Sequence, residues 1–323
     1  MGESLSQRPA SRTEVFHRSC FAMNTRFSMV LVGIDSDGSE ALAAGVERDL
    51  RAYERLMSRF DAEGPVSDLN RNGSEFADCP PRELWEILLL CRDYWKRTGG
   101  AFDITLWPLN QLWREYSDRG EKPTEDAIDQ ASRRAGFERL HLNETDRTIR
   151  FEADGISIDL GGFGKGFALE RVAGGLRAQG IQRAFLSFGE SSITVLGSHP
   201  QGPAWPVGIA DMFHPSETVH TFHLQDASLS TSGTAPYNCL GGKLAFGQII
   251  DPRSGRPIEG YRSMSVASPS GMDSEVLSTA LLVTPERERA AILSGFSGVS
   301  AVEIVYDSSA AGFVPRIEWQ YGF

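Results

Sequence analysis

The chain has 323 residues, of which 41% are hydrophobic and 23% are charged, proportions typical of a globular protein with a sizeable core. Its formal net charge of −11 argues against a general affinity for nucleic acids or for anionic membranes, although it allows a local basic pocket for a phosphate. No stretch approaches the roughly 18 apolar residues of a membrane span. We therefore expect neither nucleic acid nor membrane as a partner.

The start of the chain and the cysteines bear on the compartment. The first residues are polar and lack the apolar segment of a signal peptide. The four cysteines, Cys20, Cys79, Cys91 and Cys239, are scattered without the spacing of a metal site or of a disulfide framework. We expect a cytoplasmic protein that begins with a disordered tail over residues 1–15.

In chain order, the first half of the sequence predicts one strand, three helices and two short strands. The first helix follows from apolar residues that recur at helical intervals, such as Leu42, Val46 and Leu50. The predicted bounds are Phe27–Val32, Ser39–Met57, Leu84–Thr98, Thr124–Ala135, His141–Leu142 and Thr148–Phe151.

A glycine-rich segment then places four glycines around Lys165, between an apparent strand at Gly155–Leu160 and an apparent helix at Phe167–Gln179. Glycines let backbone amides approach an anion closely, while a lysine and a helix N-terminus add positive charge. The segment favours a phosphate-bearing ligand. Such strand-to-helix turns also occur for structural reasons alone.

The second half of the chain predicts mainly strands, because short β-branched or apolar runs are separated by Gly and Pro. These runs indicate an α+β domain over residues 16–323, with a helical insertion at about 80–135. The predicted strands are Ala184–Ser187, Ser192–Leu196, Trp205–Ile209, Val219–Leu224, Ser228–Thr231, Phe246–Ile250 and Val302–Tyr306, with a helix at Met272–Leu282 before the last.

A series of segments resembles one family in its order and spacing, the ApbE-type FAD:protein FMN transferases, also described as thiamine-biosynthesis lipoproteins. The resemblance covers about Met23 to Val283. It implies an α+β, T-fold-like domain with a small helical subdomain, which uses Mg²⁺ to cleave FAD and places FMN on a Thr or Ser hydroxyl of a target protein, releasing AMP. The segments are Ser58–Asp61, Thr98–Thr105 with Pro108–Leu109, Asp159–Gly166, Ser230–Gly233, Ile249–Pro257 and Met272–Ala280.

The resemblance also implies roles for individual residues. Lys165 would be the cation beside the FAD diphosphate and a catalytic group that stabilises the leaving group. Mg²⁺ would take the backbone carbonyl of Gly164 together with Glu275 and Thr279, one helical turn apart, where Glu275 replaces the usual Asp. The implied cofactor-binding residues are Met23, Asp103, Gly161, Gly162, Gly164, Lys165, Gly166, Thr231, Ser232, Gly233, Gln248 and Ile250.

Proton transfer is where the sequence departs most from the family. Members usually carry a histidine just before Ile-Ile-Asp-Pro, and this chain has Gln248, whose amide cannot act as a general base near neutral pH. Asp251 could be the catalytic base, or it could form the turn that Asp-Pro-Arg favours. Three alternatives to transfer therefore remain: a protein that carries, senses or uses FAD without transferring FMN, an FAD pyrophosphate hydrolase, and a scaffold whose cleft is empty.

Several of the implied roles have a structural alternative. Glu275 could be a solvated helix charge, and Asp159 could either orient a metal-bound water or cap the turn that follows it. Phe102, Trp107 and Trp113 could stack on a ring of FAD, or they could belong to the core.

Overall fold

The computed structural model describes residues 14–34, 36–73, 79–234, 249–309 and 312–322. The helices within these ranges are α1 (Ser36–Met57), α2 (Pro65–Asn72), α3 (Arg82–Arg97), α4 (Trp107–Arg119), α5 (Glu125–Ser132), α6 (Gly164–Ala178), α7 (Gly271–Val283) and α8 (Glu286–Leu293). The strands are β1 (Val15–Ala22), β2 (Thr25–Val32), β3 (Leu140–Asn143), β4 (Thr148–Phe151), β5 (Ala184–Phe188), β6 (Ser192–Leu196), β7 (Trp205–Ala210), β8 (Thr218–Leu224), β9 (Ser228–Gly233), β10 (Ile250–Asp251), β11 (Arg256–Pro257), β12 (Tyr261–Ser268), β13 (Ser300–Ser309) and β14 (Gly312–Tyr321).

Eight strands form one antiparallel sheet in the order β1-β2-β5-β6-β9-β12-β13-β14. The first hairpin closes through Met23 and Asn24, which both have positive φ and connect Ala22 directly to Thr25. Two-residue connections of this kind suit the right-handed twist of a hairpin, and Asn tolerates them well. Met23 therefore has a turn-forming role in the structure.

The sheet separates two cores because alternate residues of each strand face opposite sides. On one side Met29 and Leu186 pack with Leu50 of α1 and Leu169 of α6. On the other side the β7–β8 hairpin covers the sheet, and residues such as Val195 belong to that second core. The helix α6 thus lies on the same face of the sheet as α1.

The contact between α6 and α7 is unusually close, and it fixes the position of the cavity described below. A Cβ on Gly166 would lie 2.4 Å from the carbonyl oxygen of Gly271 and 2.6 Å from the Cβ of Glu275. Only a glycine fits where two helix backbones approach this closely. The absence of a side chain at Gly166 therefore allows the two helices to pack this closely.

The α+β fold class predicted from the sequence is confirmed. Most predicted elements form within a few residues of their predicted bounds, and α3 to α5 occupy the region of the predicted helical insertion. The tail prediction extended too far, because β1 begins at Val15; residues 1–13 lie outside the described ranges. Seven elements were not predicted from the sequence: β1, α2, α4, β11, β12, α8 and β14. Residues 246–248 of the strand predicted at Phe246–Ile250 lie outside the described ranges.

The strand predicted at Gly155–Leu160 is wrong, since the structure has no strand there. Instead, the side chain of Asn70 binds the backbone of Ile158 on both sides, donating to its oxygen at 3.0 Å and accepting from its nitrogen at 2.7 Å. A side-chain amide thus replaces the partner strand. The helix after this segment begins at Gly164, three residues before the predicted Phe167. Lys165 consequently lies in the first turn of α6.

None of the helices within the described ranges is long and apolar enough to cross a membrane.

Candidate active site

A cavity of about 490 Å³ lies between α4, the glycine-rich turn (residues 161–163), the start of α6 and the buried helix α7. This volume is within the range of small-molecule and cofactor sites, about 300–1,000 Å³. The cavity brings together eight of the residues that the sequence analysis assigned to the site: Asp103, Gly161, Gly162, Lys165, Ser232, Ile250, Glu275 and Thr279.

The other assigned residues are placed differently. Gln248 lies outside the described residues. Six more do not line the cavity: Met23, Gly164, Gly166, Thr231, Gly233 and Asp251.

The glycine-rich turn is shaped by its own acidic residue. Asp159 accepts a hydrogen bond from the backbone nitrogen of Gly161 at 2.9 Å, while its backbone nitrogen donates to Ile104. Asp159 therefore caps this turn, which was one of the two roles considered for it. Because the Gly161 amide is already bound, a diphosphate at this turn would rely on Lys165 and on the start of α6.

Lys165 and Glu275 form an ion pair at the base of the cavity. The Nζ atom of Lys165 lies 3.0 Å from Oε1 of Glu275, and it also donates to the hydroxyls of Ser192 at 2.8 Å and Ser191 at 3.2 Å. The Oε2 atom of Glu275 accepts from the hydroxyls of Ser192 and Ser230 at 2.7 and 2.9 Å. With only 6% of its side chain exposed, Glu275 is not a solvated helix charge.

A row of hydroxyls continues from this ion pair along α7. Ser230 and Ser232 are two residues apart on β9 and therefore face the same side of the strand. The Oγ of Ser232 lies 2.8 Å from Oγ of Ser278 and 2.9 Å from Oγ1 of Thr279. Glu275 and Thr279, four residues apart on α7, thus present a carboxylate and a hydroxyl to one cavity.

Asp103 lines the cavity, but its hydrogen bonds connect protein segments. Its carboxylate accepts from the backbone nitrogen and hydroxyl of Thr105 and from the backbone nitrogen of Phe137. The Thr105 hydroxyl in turn accepts from the nitrogen of Gly136 at 2.6 Å. Burial raises the pKa of the Asp103 carboxyl, and the hydrogen bonds from Thr105 and Phe137 oppose that rise. Asp103 therefore stabilises the wall of the cavity.

The wall that α4 contributes to the cavity was not predicted from the sequence. Asn110, Arg114 and Ser117 lie on one face of this helix and line the cavity. Pro108 near its first position and Gly120 at its C-cap, with φ of 74°, are ordinary signals of a helix. They would have predicted α4 from the sequence.

The aromatic residues of this region have mixed roles. Phe102 and Trp113 are buried yet reach the cavity, and Nε1 of Trp113 donates to the carbonyl of Gly255 at 2.8 Å. Trp107 is partly exposed, and the guanidinium carbon of Arg59 lies 3.3 Å from its ring centroid. Burial lowers the pKa of Arg59, while the nearby Asp159 carboxylate opposes this. Phe102 and Trp113 thus belong to the core and line the cavity at the same time.

Asp251 has the turn-forming role. Its Oδ1 and Oδ2 atoms accept from the guanidinium of Arg253 at 2.9 and 3.1 Å, and its carbonyl accepts from the nitrogen of Gly255. These bonds close the short β10–β11 hairpin. Both carboxylate oxygens are engaged outside the cavity lining, which is a poor arrangement for a general base.

The charges around the cavity are mainly negative. Among the described residues, two cationic side chains line it, Lys165 and Arg114, against four acidic ones, Asp103, Asp118, Asp159 and Glu275. The described residues contain no group of three or more His, Cys, Asp or Glu side chains that could hold a metal ion. Any metal bound to Glu275 would therefore need ligands from outside this set, such as hydroxyls, carbonyls, water or substrate.

Known proteins resemble the chain over most of its length. The FAD:protein FMN transferase of Klebsiella pneumoniae (strain 342) is 29% identical over 288 residues, which cover 86% of this chain and 81% of that protein. The FAD:protein FMN transferase of Treponema pallidum (strain Nichols) is 27% identical over 286 residues, covering 83% and 79%.

A solved structure, the apo form of the Pseudomonas stutzeri flavinyl transferase ApbE, superposes with a TM-score of 0.77 and 25% identity, covering 94% of this chain and 95% of that one. The sequence profile of the ApbE family matches residues 23–302, which include all the residues discussed around the cavity. The chain therefore belongs to the ApbE family.

Proposed function

We propose that this protein transfers FMN from FAD to a Thr or Ser hydroxyl of a target protein and releases AMP. The observation that carries the proposal is the cavity in which Lys165, the glycine-rich turn and the Glu275–Thr279 face of α7 meet. Membership of the ApbE family and the names of the relatives support it.

In this reaction the acceptor oxygen attacks the FMN-side phosphorus of FAD. The bond from that phosphorus to the bridging oxygen breaks, AMP leaves with the bridging oxygen, and the hydroxyl proton passes to a base or to solvent. Lys165, in the first turn of α6, is the cation that would bind the diphosphate there. The helix N-terminus adds its dipole at the same place.

We further infer that Mg²⁺ is required. The described part of the cavity lining has more carboxylates than cations, so an anionic diphosphate there benefits from additional positive charge. Glu275 and Thr279 line the cavity and supply the hard oxygen ligands that Mg²⁺ prefers. The Gly164 carbonyl, proposed as a third ligand on the family resemblance, belongs to a residue outside this lining. Mg²⁺ commonly binds through one or two carboxylates plus substrate phosphates and water, which fits a site with one carboxylate. When bound, the ion offsets the negative charge that develops on the phosphate oxygens.

Asp251 is not included as the base in this proposal, because Arg253 binds its carboxylate. The hydroxyls of Ser192 and Ser230 bond Glu275, and the hydroxyl of Ser232 bonds Thr279. These contacts would hold both proposed metal ligands in position. The cytoplasm is retained as the proposed compartment, since the described cysteines are free thiols.

The proposal is tested by incubating the protein with FAD, Mg²⁺ and an added target protein, then resolving the nucleotides by chromatography and the target by intact mass. AMP together with a mass gain of one FMN on the target supports transfer. Free FMN with AMP indicates hydrolysis, and intact protein-bound FAD indicates the carrier or cofactor alternative. Absence of FAD binding would contradict every flavin function. The variant Glu275→Gln should lose product formation while still binding FAD, if the inferred metal role is correct.

A further inference from the structure

The ammonium group of Lys165 is already fully bound to the protein. An ammonium has three N–H donors, and Lys165 directs them to Glu275 at 3.0 Å, Ser192 at 2.8 Å and Ser191 at 3.2 Å. Its side chain is 25% exposed, and the residue lines the cavity. The ammonium therefore occupies the cavity side of the Glu275 carboxylate in this state.

Both carboxylate oxygens of Glu275 already have partners, Lys165 on Oε1 and two hydroxyls on Oε2. Its Oε2 atom accepts from the hydroxyls of Ser192 and Ser230, which belong to two neighbouring strands of the sheet. A buried carboxylate needs a compensating charge, and Lys165 provides it. The ammonium would repel a divalent cation that approached Glu275, because both are positively charged and would share one carboxylate.

We propose that Lys165 is an internal cation that neutralises Glu275 until a diphosphate enters the cavity, and that this exchange couples metal binding to diphosphate binding. The inference rests on the proposed metal role of Glu275. The diphosphate attracts the ammonium away from the carboxylate, and Glu275 then becomes available to a divalent cation. Lys165 thereby acts as a positioning residue for the metal in addition to its contact with the substrate.

The coupling is reciprocal by thermodynamic linkage. If a diphosphate strengthens metal binding, the metal must strengthen diphosphate binding by the same factor. The protein without substrate would hold a divalent ion only weakly, because its one cavity-facing carboxylate on α7 is already paired. Removal of the ammonium should therefore strengthen metal binding in the absence of any nucleotide.

The test measures Mn²⁺ binding to the full chain without nucleotide, at one mildly alkaline pH, by the electron paramagnetic resonance signal of the free ion. Lys165→Met is expected to bind Mn²⁺ at least ~5-fold more tightly than the wild type, the lower end of usual coupling between two sites. Lys165→Gln provides a second neutral variant in case the first folds poorly, and circular dichroism checks both. Lys165→Arg keeps the positive charge and should bind Mn²⁺ as weakly as the wild type.

Two further arms locate the ion and identify the cause. The double variant Lys165→Met with Glu275→Gln should lose the gained affinity, because the carboxylate is gone. Addition of ADP, a diphosphate without flavin, should strengthen Mn²⁺ binding to the wild type, and by a smaller factor in Lys165→Met. Glu275→Gln with ADP provides the baseline for Mn²⁺ that binds ADP in solution.

The outcomes separate the inference from the proposed function. If the wild type without nucleotide binds Mn²⁺ at Glu275 as tightly as Lys165→Met does, the internal-cation role is overturned while the metal site stands. If no Glu275-dependent Mn²⁺ binding occurs in Lys165→Met or in the wild type with ADP, the metal role itself is wrong, and the inference is lost with it.

Discussion

Gly166 of α6 and Gly271 of α7 approach each other so closely that neither can carry a side chain without displacing the opposite helix. A Cβ on Gly166 would meet the Gly271 carbonyl oxygen at 2.4 Å, and a Cβ on Gly271 would meet the Gly166 oxygen at 2.7 Å. Glu275 lies one turn along α7 from this contact, and Lys165 precedes Gly166 on α6. The geometry of the Lys165–Glu275 ion pair therefore depends on a contact between two glycines.

The variant Gly166→Ala should separate the two helices. We expect a loss of about 1–3 kcal/mol in the free energy of unfolding, because the added methyl group overpacks the contact. FMN transfer should fall as well, since Glu275 moves with α7. Gly174→Ala is the matched control, because Gly174 is exposed in the same helix and its Cβ would meet nothing within 4 Å.

The control is expected to stabilise the protein by up to about 1 kcal/mol, the usual gain of Ala over Gly in a helix. Urea unfolding of both variants and a transfer assay measure the two effects. Equal stability of Gly166→Ala and Gly174→Ala would contradict the importance of the glycine contact.

Asp251→Asn distinguishes a turn-forming residue from a catalytic base. Loss of a general base typically lowers kcat about 10²–10⁴-fold. We expect kcat to change less than about 10-fold, because Arg253 binds both oxygens of Asp251 away from the cavity lining. The free energy of unfolding should fall by up to about 1 kcal/mol, as for a partly exposed ion pair. A 10²-fold loss of kcat with unchanged FAD affinity would restore Asp251 as the base.

The sequence predicted the fold class and most elements because their signals are local. The helix α1 shows a regular apolar spacing, and the strands of the second half are short β-branched runs between turns. The segment Gly155–Leu160 has the same apolar character but pairs with the side chain of Asn70, 88 positions away from Ile158. No local pattern reveals such a distant partner.

The candidate site was predicted less completely for a similar reason. The glycine-rich turn and the Glu275–Thr279 pair are each short local patterns that can be recognised in the sequence. The structure brings the two patterns to one cavity. The partners that saturate Glu275 and Lys165, Ser192 among them, come from strands far away in the chain. Gly166 illustrates the converse, because its position suggested an anion site whereas its surroundings are a helix–helix contact.

Asp226→Asn should change how stability depends on pH. The hydrogen bond from the Gly197 nitrogen, followed by that from Arg177, lowers the pKa of the Asp226 carboxyl in the folded state. A carboxyl whose pKa is lower in the folded than in the unfolded state stabilises the folded protein at pH values above its unfolded pKa of about 3.9. This stabilisation is lost as the pH falls through the folded pKa. Because Asp226 is half-exposed, we expect a difference of at most about 1 kcal/mol.

Asn suits the positive φ of 47° at this position, so the exchange leaves the backbone unstrained. Denaturant unfolding across the acid range compares the two proteins. The wild type should be more stable at neutral pH, and the two curves should converge in acid. A constant difference at every pH would rule out an electrostatic origin.

Arg114→Gln should weaken FAD binding without affecting the chemical step. Arg114 lines the cavity from α4, and it makes no ion pair with a carboxylate of the described residues. A charge-assisted hydrogen bond to a phosphate contributes about 1.5–3 kcal/mol, so the Kd of FAD should rise about 10-fold to about 100-fold. Its kcat at saturating FAD should be unchanged, since ground state and transition state lose the same contact. Arg119→Gln, an exposed position on the same helix, is the control and should bind FAD normally. A normal Kd for both variants, measured by flavin fluorescence, would remove Arg114 from the FAD site.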